Sequence, residues 1–117
     1  MASKKTQIIT LVCNKGGVGR STTAINIAWS LANKKSNVLV CDLDAQANTS
    51  SSLAKNYQQD VVEDDRNVTS LLKSSGDSAV DYIVDTRNPN IKLLASTLML
   101  DSTEGEIKSL LDLNIFK

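Results

Sequence analysis

The sequence of 117 residues contains no histidine and only two cysteines, Cys13 and Cys41. The cysteines stand far apart, so the chain lacks the clustered nitrogen and sulfur ligands that a zinc site needs. Each cysteine ends an apolar run, and free cysteine is among the most frequently buried residue types. We therefore predict two buried thiols in a reducing cytosol and no zinc.

Aromatic residues and net charge are also nearly absent. With one Phe, one Trp and two Tyr, the core has to be aliphatic, and no base-stacking surface is visible. The 13 basic and 13 acidic side chains cancel, which removes the field that would concentrate nucleic acid or an anionic membrane. No apolar run approaches the roughly 20 residues that cross a bilayer. We predict one cytoplasmic domain, since the length falls within the range of about 50–250 residues of a compact unit.

A glycine-rich segment, NKGGVGRSTT from position 14 to 23, separates an apolar run from a helical pattern. Gly16, Gly17 and Gly19 carry no Cβ, so the backbone can adopt positive φ and direct N–H groups toward an anion. The helix that follows adds the positive end of its dipole. The usual P-loop has Gly, four residues and then Gly-Lys-Ser/Thr; here Asn14 occupies the first Gly position and Arg20 the Lys position. The segment predicts a phosphate-binding turn.

The surrounding pattern predicts a βαβ unit. Residues 7–13 form a short apolar run typical of a buried strand, residues 21–33 repeat apolar side chains at helical spacing, and residues 37–44 form a second strand. Such a crossover implies a parallel sheet covered by helices. Asp42 and Asp44 close the second strand, and side chains just past the carboxyl ends of strands line the ligand crevice. Both carboxylates are therefore expected beside the phosphate loop, where they suit a magnesium nucleotide.

The remainder of the chain carries weaker signals. We predict a short helix over residues 53–59, a surface loop over 60–67, helical turns over 68–74, an apolar segment of undetermined type over 79–84, a strand over 91–96 and a helix over 104–113.

The glycine-rich segment resembles the deviant Walker A motif, KGGxGK[ST], of the ParA/MinD/nitrogenase-iron-protein group of dimeric ATPases. By this resemblance, Lys15 is the signature lysine that reaches the phosphates of the partner subunit, Ser21 is the magnesium ligand and Thr22 faces the α-phosphate. Arg20 departs from the pattern. The nucleotide-binding residues that the resemblance implies are Lys15, Gly16, Gly17, Val18, Gly19, Arg20, Ser21 and Thr22.

The segment DLDAQAN from position 42 to 48 resembles the DxDPQ(G/A)N signature of ParA-type partition ATPases, with Ala45 where that family usually has proline. The resemblance implies that Asp44 orients the hydrolytic water and that Asp42 supports magnesium and the phosphate loop. Gln46 and Asn48 are secondary candidates. The implied catalytic residues are thus Lys15, Arg20 and Asp44, and the implied metal residues are Ser21 and Asp42.

The resemblance implies an α/β P-loop NTPase fold with a mostly parallel sheet flanked by helices. It also implies ATP and Mg²⁺ as cofactors, an ATP-dependent homodimer, a ParB-like adaptor at a plasmid or chromosome centromere, nonspecific DNA contacts through a C-terminal part and no membrane. Localisation would be cytoplasmic, with nucleoid association in the ATP-bound form. The family places a Walker B aspartate on a strand after the helix predicted over 104–113, between the first two strands of the sheet. We therefore expect residues 1–117 to be a single incomplete P-loop domain, inactive alone.

Three alternatives remain open. Arg20 could mark a relative that binds nucleotide without turning it over, because the planar guanidinium differs from the compact charge of lysine. A MinD-like division-site ATPase is disfavoured by DLDAQAN. An iron–sulfur reductase is least favoured, since the cluster cysteines of that branch would lie beyond Lys117.

Overall fold

The computed structural model describes residues 5–11 and 19–97. Its regular elements are helix α1 (Arg20–Asn33), strand β1 (Val38–Cys41), helix α2 (Asn48–Leu53), a π-helix (Tyr57–Glu63), helix α3 (Val68–Lys73), a 3₁₀-helix (Ala79–Tyr82), strand β2 (Val84–Asp85) and strand β3 (Ile91–Leu94).

The three strands form one small mixed sheet in the order β1-β3-β2. β1 and β3 are parallel, with Val38 opposite Ile91 and Cys41 opposite Leu94, so their carboxyl ends lie at the same edge. The predicted parallel pairing is confirmed here. β2 instead runs antiparallel to β3, because the short turn over residues 86–90 leaves no room for the crossover that a parallel neighbour requires.

α1, α2 and the π-helix cover the face of this sheet that bears Ile91 and Leu93, whereas α3 packs on Leu94. α1 begins one residue before the predicted start, after Gly19 in a left-handed conformation with φ of 82°. Its buried Ala28 and Ala32 pack on Ile91. A second cluster joins α2 and the π-helix to the strands, and its buried members are Leu53, Ala54, Val61, Val84, Leu93 and Ala95. The core is aliphatic, as the composition requires.

The prediction of a strand over residues 7–13 is wrong for residues 7–11, which have no regular secondary structure. Ile8 and Ile9 are 90% and 59% exposed. A strand needs a hydrogen-bonded neighbour, and no strand of the described ranges pairs with this segment. Residues 12 and 13 lie outside the described part of the chain.

The prediction of a surface loop over residues 60–67 is wrong for its first half, because the π-helix continues to Glu63 and Val61 is fully buried. One buried apolar residue, Val61, gives too weak a periodic signal for a π-helix to be predicted from the sequence. The helix predicted over 53–59 is also misplaced, since α2 ends at Leu53 and Ala54 is extended. α3 and β3 confirm the predictions for 68–74 and 91–96. The helix predicted over 104–113 lies outside the described residues.

The burial predicted for Cys41 is wrong, since this residue is exposed. Side chains alternate along β1: Val38 and Val40 face α1, whereas Leu39 is 50% exposed. Cys41 belongs to the same face as Leu39. Partial burial nevertheless raises the pKa of its thiol. Cys13 lies outside the described residues.

Among the helices that the structure describes, none has the length and hydropathy needed to span a bilayer.

Candidate functional site

The start of α1 and the loop after β1 enclose an open cavity of about 410 Å³. Its lining is mostly polar. The hydroxyl, amide, guanidinium and carboxylate groups come from two segments, one before β1 in the chain and one after it. The lining residues are Gly19, Arg20, Ser21, Thr22, Ile25, Asp44, Asn48, Ser51 and Ser52.

An ion pair joins the two sequence motifs across this cavity. The Arg20 guanidinium donates to Asp44 Oδ2 over 2.7 Å, and each side chain is about one-third exposed, at 30% and 32%. The other carboxylate oxygen of Asp44 accepts the N–H of Gln46 at 3.0 Å. A partly exposed ion pair contributes at most about 1 kcal/mol to folding. The main consequence of the contact is therefore that it fixes the positions of the Arg20 and Asp44 side chains relative to each other.

Asp42 lies behind the cavity and is only 6% exposed. Its Oδ1 accepts the backbone N–H of Asp44 at 3.0 Å. Its Oδ2 accepts the backbone N–H of Ser50 at 2.9 Å and the Ser50 hydroxyl at 2.6 Å. A buried carboxylate is costly unless hydrogen bonds compensate it, and these three donors do so. Asp42 therefore fixes the fold of the loop that carries Asp44.

Ser50 is a residue of this region that sequence reasoning missed. It is fully buried, and its hydroxyl accepts the N–H of Ser96 at 2.8 Å. Tyr57 donates its phenol to the carbonyl of Ser96 at 3.1 Å. Burial, and secondly the negative charge of Asp42, raise the pKa of Tyr57. No sequence signal separates Ser50 from the neighbouring serines at 51 and 52.

The structure brings the described candidate residues together in two layers. Gly19, Arg20, Ser21, Thr22, Asp44 and Asn48 line the cavity, whereas Asp42 is buried behind it. Gln46 is exposed and contributes its backbone N–H to Asp44. Lys15, Gly16, Gly17 and Val18 lie outside the described residues.

The cavity offers oxygen ligands for a hard cation. The described residues contain no group of three or more His, Cys, Asp or Glu side chains that could hold a metal ion by themselves. A divalent cation bound here would therefore share its coordination between protein oxygens, such as the Ser21 hydroxyl, and the oxygens of water or phosphate. This donor set fits Mg²⁺, which retains several waters and binds through substrate phosphates.

A family model described as an AAA domain matches residues 6–116, nearly the whole sequence. The chain belongs to this AAA domain family. The match includes both motifs and the loop that joins them to β3. Curated relatives of the ParA type align with the same region. They confirm the resemblance to ParA-type ATPases that the two motifs indicate.

Two such relatives are the sporulation initiation inhibitor protein Soj of Bacillus subtilis and the chromosome partitioning protein ParA of Caulobacter vibrioides. Soj is 33% identical over 107 residues, which is 86% of this chain and 38% of Soj. The Caulobacter protein is 31% identical over 108 residues, which is 92% of this chain and 38% of that protein. The chain thus spans well under half the length of these members of the group.

Solved structures support the α/β P-loop fold. A plasmid partition protein from Borrelia burgdorferi bound to AMPPNP superposes with a TM-score of 0.61 at 33% identity, covering 78% of this chain and 38% of that one. Cobyrinic acid a,c-diamide synthase from Mycobacterium smegmatis, bound to an ATP analogue and magnesium, gives 0.66 at 26% identity, covering 81% and 36%. The predicted fold class is confirmed, with a small mixed sheet in place of a mostly parallel one.

Proposed function

We propose that this chain binds Mg²⁺-ATP in the cavity between α1 and the loop after β1, as part of a partition ATPase that segregates plasmid or chromosomal DNA. The observation that carries the proposal is the Arg20–Asp44 contact at 2.7 Å. It joins the two segments that the family uses for phosphate and water, at the carboxyl end of β1, where ligands of open α/β sheets bind.

The residues have distinct proposed tasks. The helix N-terminus with Ser21 and Thr22 would receive the phosphates, and the Ser21 hydroxyl would be a ligand of Mg²⁺. The cation would neutralise charge on the β- and γ-phosphates. Asp44 would orient the attacking water, and Asp42 would support Mg²⁺ and the phosphate loop from behind the cavity, by holding the loop that bears Asp44. Lys15 would reach the phosphates of a second subunit.

Relatives with bound nucleotide support this proposal. The Borrelia plasmid partition protein was solved with AMPPNP, and the Mycobacterium synthase with an ATP analogue and magnesium. We extend the proposal to an ATP-dependent homodimer, a ParB-like adaptor that stimulates hydrolysis and nonspecific DNA contacts outside the described residues. The family relationship supports these features.

One observation favours a second candidate, a relative that binds ATP but hydrolyses it poorly. Arg20 occupies the position of the family lysine, and its guanidinium already bonds the carboxylate proposed to orient water. A planar fork that binds a carboxylate well competes with the water for the same oxygen. Nucleotide binding would then survive, because backbone N–H groups provide most of a phosphate cradle.

Isothermal titration of the chain with ATP, with and without Mg²⁺, tests the primary proposal. We expect saturable binding that Mg²⁺ tightens at least about tenfold, since the cation screens phosphate charge. Arg20→Lys should change this affinity by less than about threefold because positive charge is retained. Arg87→Lys, the same substitution at an exposed arginine outside the cavity, is the matched control. Absence of Mg²⁺-dependent binding by the unaltered chain would refute the proposal.

Steady-state hydrolysis by the complete protein distinguishes the two candidates. Arg20→Lys should raise turnover more than it tightens binding, because a misplacement of about an angstrom can cost about a hundredfold in rate. Asp44→Ala in each background provides the inactive control. Equal turnover in the Arg20 and Arg20→Lys forms would remove the support for the hydrolysis-impaired candidate.

A further inference from the structure

Three segments meet at the hydroxyl of Ser50, and one of them is distant in sequence. These are the loop after β1, the first turns of α2 and the residues that follow β3. The Ser50 to Ser96 bond joins residues 46 positions apart. Neither the motif residues nor the proposed function assigns a role to Ser50, yet its side chain is fully buried.

The direction of each hydrogen bond at Ser50 is fixed by chemistry. An amide nitrogen can only donate, so Ser50 Oγ accepts from the Ser96 N–H at 2.8 Å. The Asp42 carboxylate can only accept when ionised, so the hydroxyl hydrogen points to Oδ2 at 2.6 Å. The Ser50 hydroxyl thus connects Asp42 to the backbone that follows β3. An alanine at position 50 would break both bonds.

Asp42 carries this connection to the cavity. Its second oxygen accepts the N–H of Asp44 at 3.0 Å, and the Asp44 side chain lies at 2.7 Å from the Arg20 guanidinium. A continuous series of bonds therefore runs from the backbone of Ser96 through Ser50 and Asp42 to Asp44. The loop that bears Asp44 is anchored to the sheet at two points, since the Asp42 N–H also donates to the carbonyl of Leu94 at 3.0 Å.

We propose that Ser50 is a positioning residue for the nucleotide site. It holds Asp42 and, through Asp42, fixes the position of Asp44 relative to the end of β3. This inference rests on the proposed function for its nucleotide readout. Without the hydroxyl, Asp42 Oδ2 keeps only the Ser50 N–H as a donor, so two hydrogen bonds instead of three hold the carboxylate. The Asp44 backbone then gains freedom even though Asp44 itself is unchanged.

Two variants and a matched control test this role. Ser50→Ala removes the hydroxyl, and Ser50→Thr retains one at the same position. Thr86→Val removes another buried hydroxyl, which bonds Asn88 in the turn and Ile91 at the start of β3, at the opposite end of the sheet. For each protein we would measure hydrogen exchange of the Asp44 and Ser96 amides, Mg²⁺-ATP affinity by calorimetry and urea unfolding.

We expect Ser50→Ala to accelerate exchange of both amides and to weaken Mg²⁺-ATP binding, each by about tenfold, the scale of one lost charge-assisted hydrogen bond. Thr86→Val should lose comparable stability without either effect, and Ser50→Thr should restore both. Exchange at Asp44 that stays at the wild-type rate in Ser50→Ala, or that Thr86→Val accelerates equally, would overturn the inference. If the unaltered chain binds no Mg²⁺-ATP, the proposed function fails, and exchange alone then decides whether Ser50 holds Asp44.

Discussion

The two ends of the sheet both bury polar side chains, but they bond them over very different spans of sequence. At the amino end of β3, the single hydroxyl hydrogen of Thr86 is shared between the carbonyls of Asn88 and Ile91, whose oxygens lie 2.9 and 2.8 Å from Oγ1 and belong to residues at most five positions away. At the carboxyl end, the cluster of Asp42, Ser50 and Ser96 joins residues 8 and 46 positions apart. We call these the amino-end turn (residues 86–90) and the carboxyl-end cluster.

This difference has a physical consequence. In the amino-end turn, the buried side chains of Thr86 and Asn88 bond only partners within five residues, although the Asn90 carbonyl also accepts the N–H of Val38 at 2.8 Å. The carboxyl-end cluster forms only when β1, α2 and β3 are all in place, since each supplies part of it. The candidate nucleotide site lies at the carboxyl end. Its geometry therefore depends on three elements at once, whereas the buried side-chain bonds of the turn are local.

The largest expected effect comes from removing the charged group of the carboxyl-end cluster, which is the carboxylate of Asp42. Asp42→Asn replaces an acceptor of three hydrogen bonds with a group whose NH₂ must face at least one of the donors Ser50 and Asp44. We expect the free energy of unfolding to fall by about 3 kcal/mol. Urea denaturation at neutral pH measures it. A loss below about 1 kcal/mol would show that the cluster tolerates an unsatisfied buried donor.

A smaller effect is expected from the amino-end turn. Thr86→Val keeps the side-chain volume but removes a hydroxyl that is 6% exposed and that accepts the N–H of Asn88 at 3.1 Å. We expect a loss of about 1–2 kcal/mol, with faster amide exchange confined to residues 88–91. Faster amide exchange at Asp44 as well would contradict the separation of the two ends. A loss of unfolding free energy as large as that caused by Asp42→Asn would contradict the expectation that the carboxyl-end cluster contributes more to stability than the turn.

Much of the fold could be predicted because its signals are local. α1 has a helical repeat that brings Ala28 and Ala32 onto one face, and β3 is a short apolar run after Asn-Pro-Asn. Residues 7–11 show the limit of this reasoning. Their apolar, β-rich composition is typical of a strand, but strand formation requires a neighbour that no local pattern reveals.

The candidate site was predictable to the extent that topology fixes it. Arg20 and Asp44 were expected at one edge because residues just past a strand end line the crevice, and the structure gives their contact. Only the family resemblance assigned separate roles to the two carboxylates, and the structure adds a difference in burial between the enclosed Asp42 and the cavity-lining Asp44. Ser50 was missed because its partners become visible only in three dimensions.

The smallest effect, and the control for the first prediction, is Asp85→Asn in the exposed pair between β2 and β3. Lys92 Nζ lies 2.5 Å from Asp85 Oδ1, and the two side chains are 49% and 68% exposed. A hydrogen bond from Lys92, and secondly its charge, hold the pKa of Asp85 below its ordinary value of 3.8. A lowered folded-state pKa contributes stability above the ordinary pKa and loses it as pH falls through the lowered one.

The advantage of wild type over Asp85→Asn should therefore be less than about 0.5 kcal/mol at pH 7, because solvent screens an exposed pair. It should shrink further in about 1 M NaCl, where the screening length falls to about 3 Å, and vanish once Asp85 is protonated. Urea unfolding of both proteins at pH 7 and at a series of pH values below the ordinary pKa of Asp85 measures this difference. The same Asp→Asn change would then have a small, salt-sensitive effect at Asp85 and a large effect at Asp42. A loss of 1 kcal/mol or more at Asp85 would mean that charge removal itself, and not the buried hydrogen bonding of Asp42, accounts for the first result.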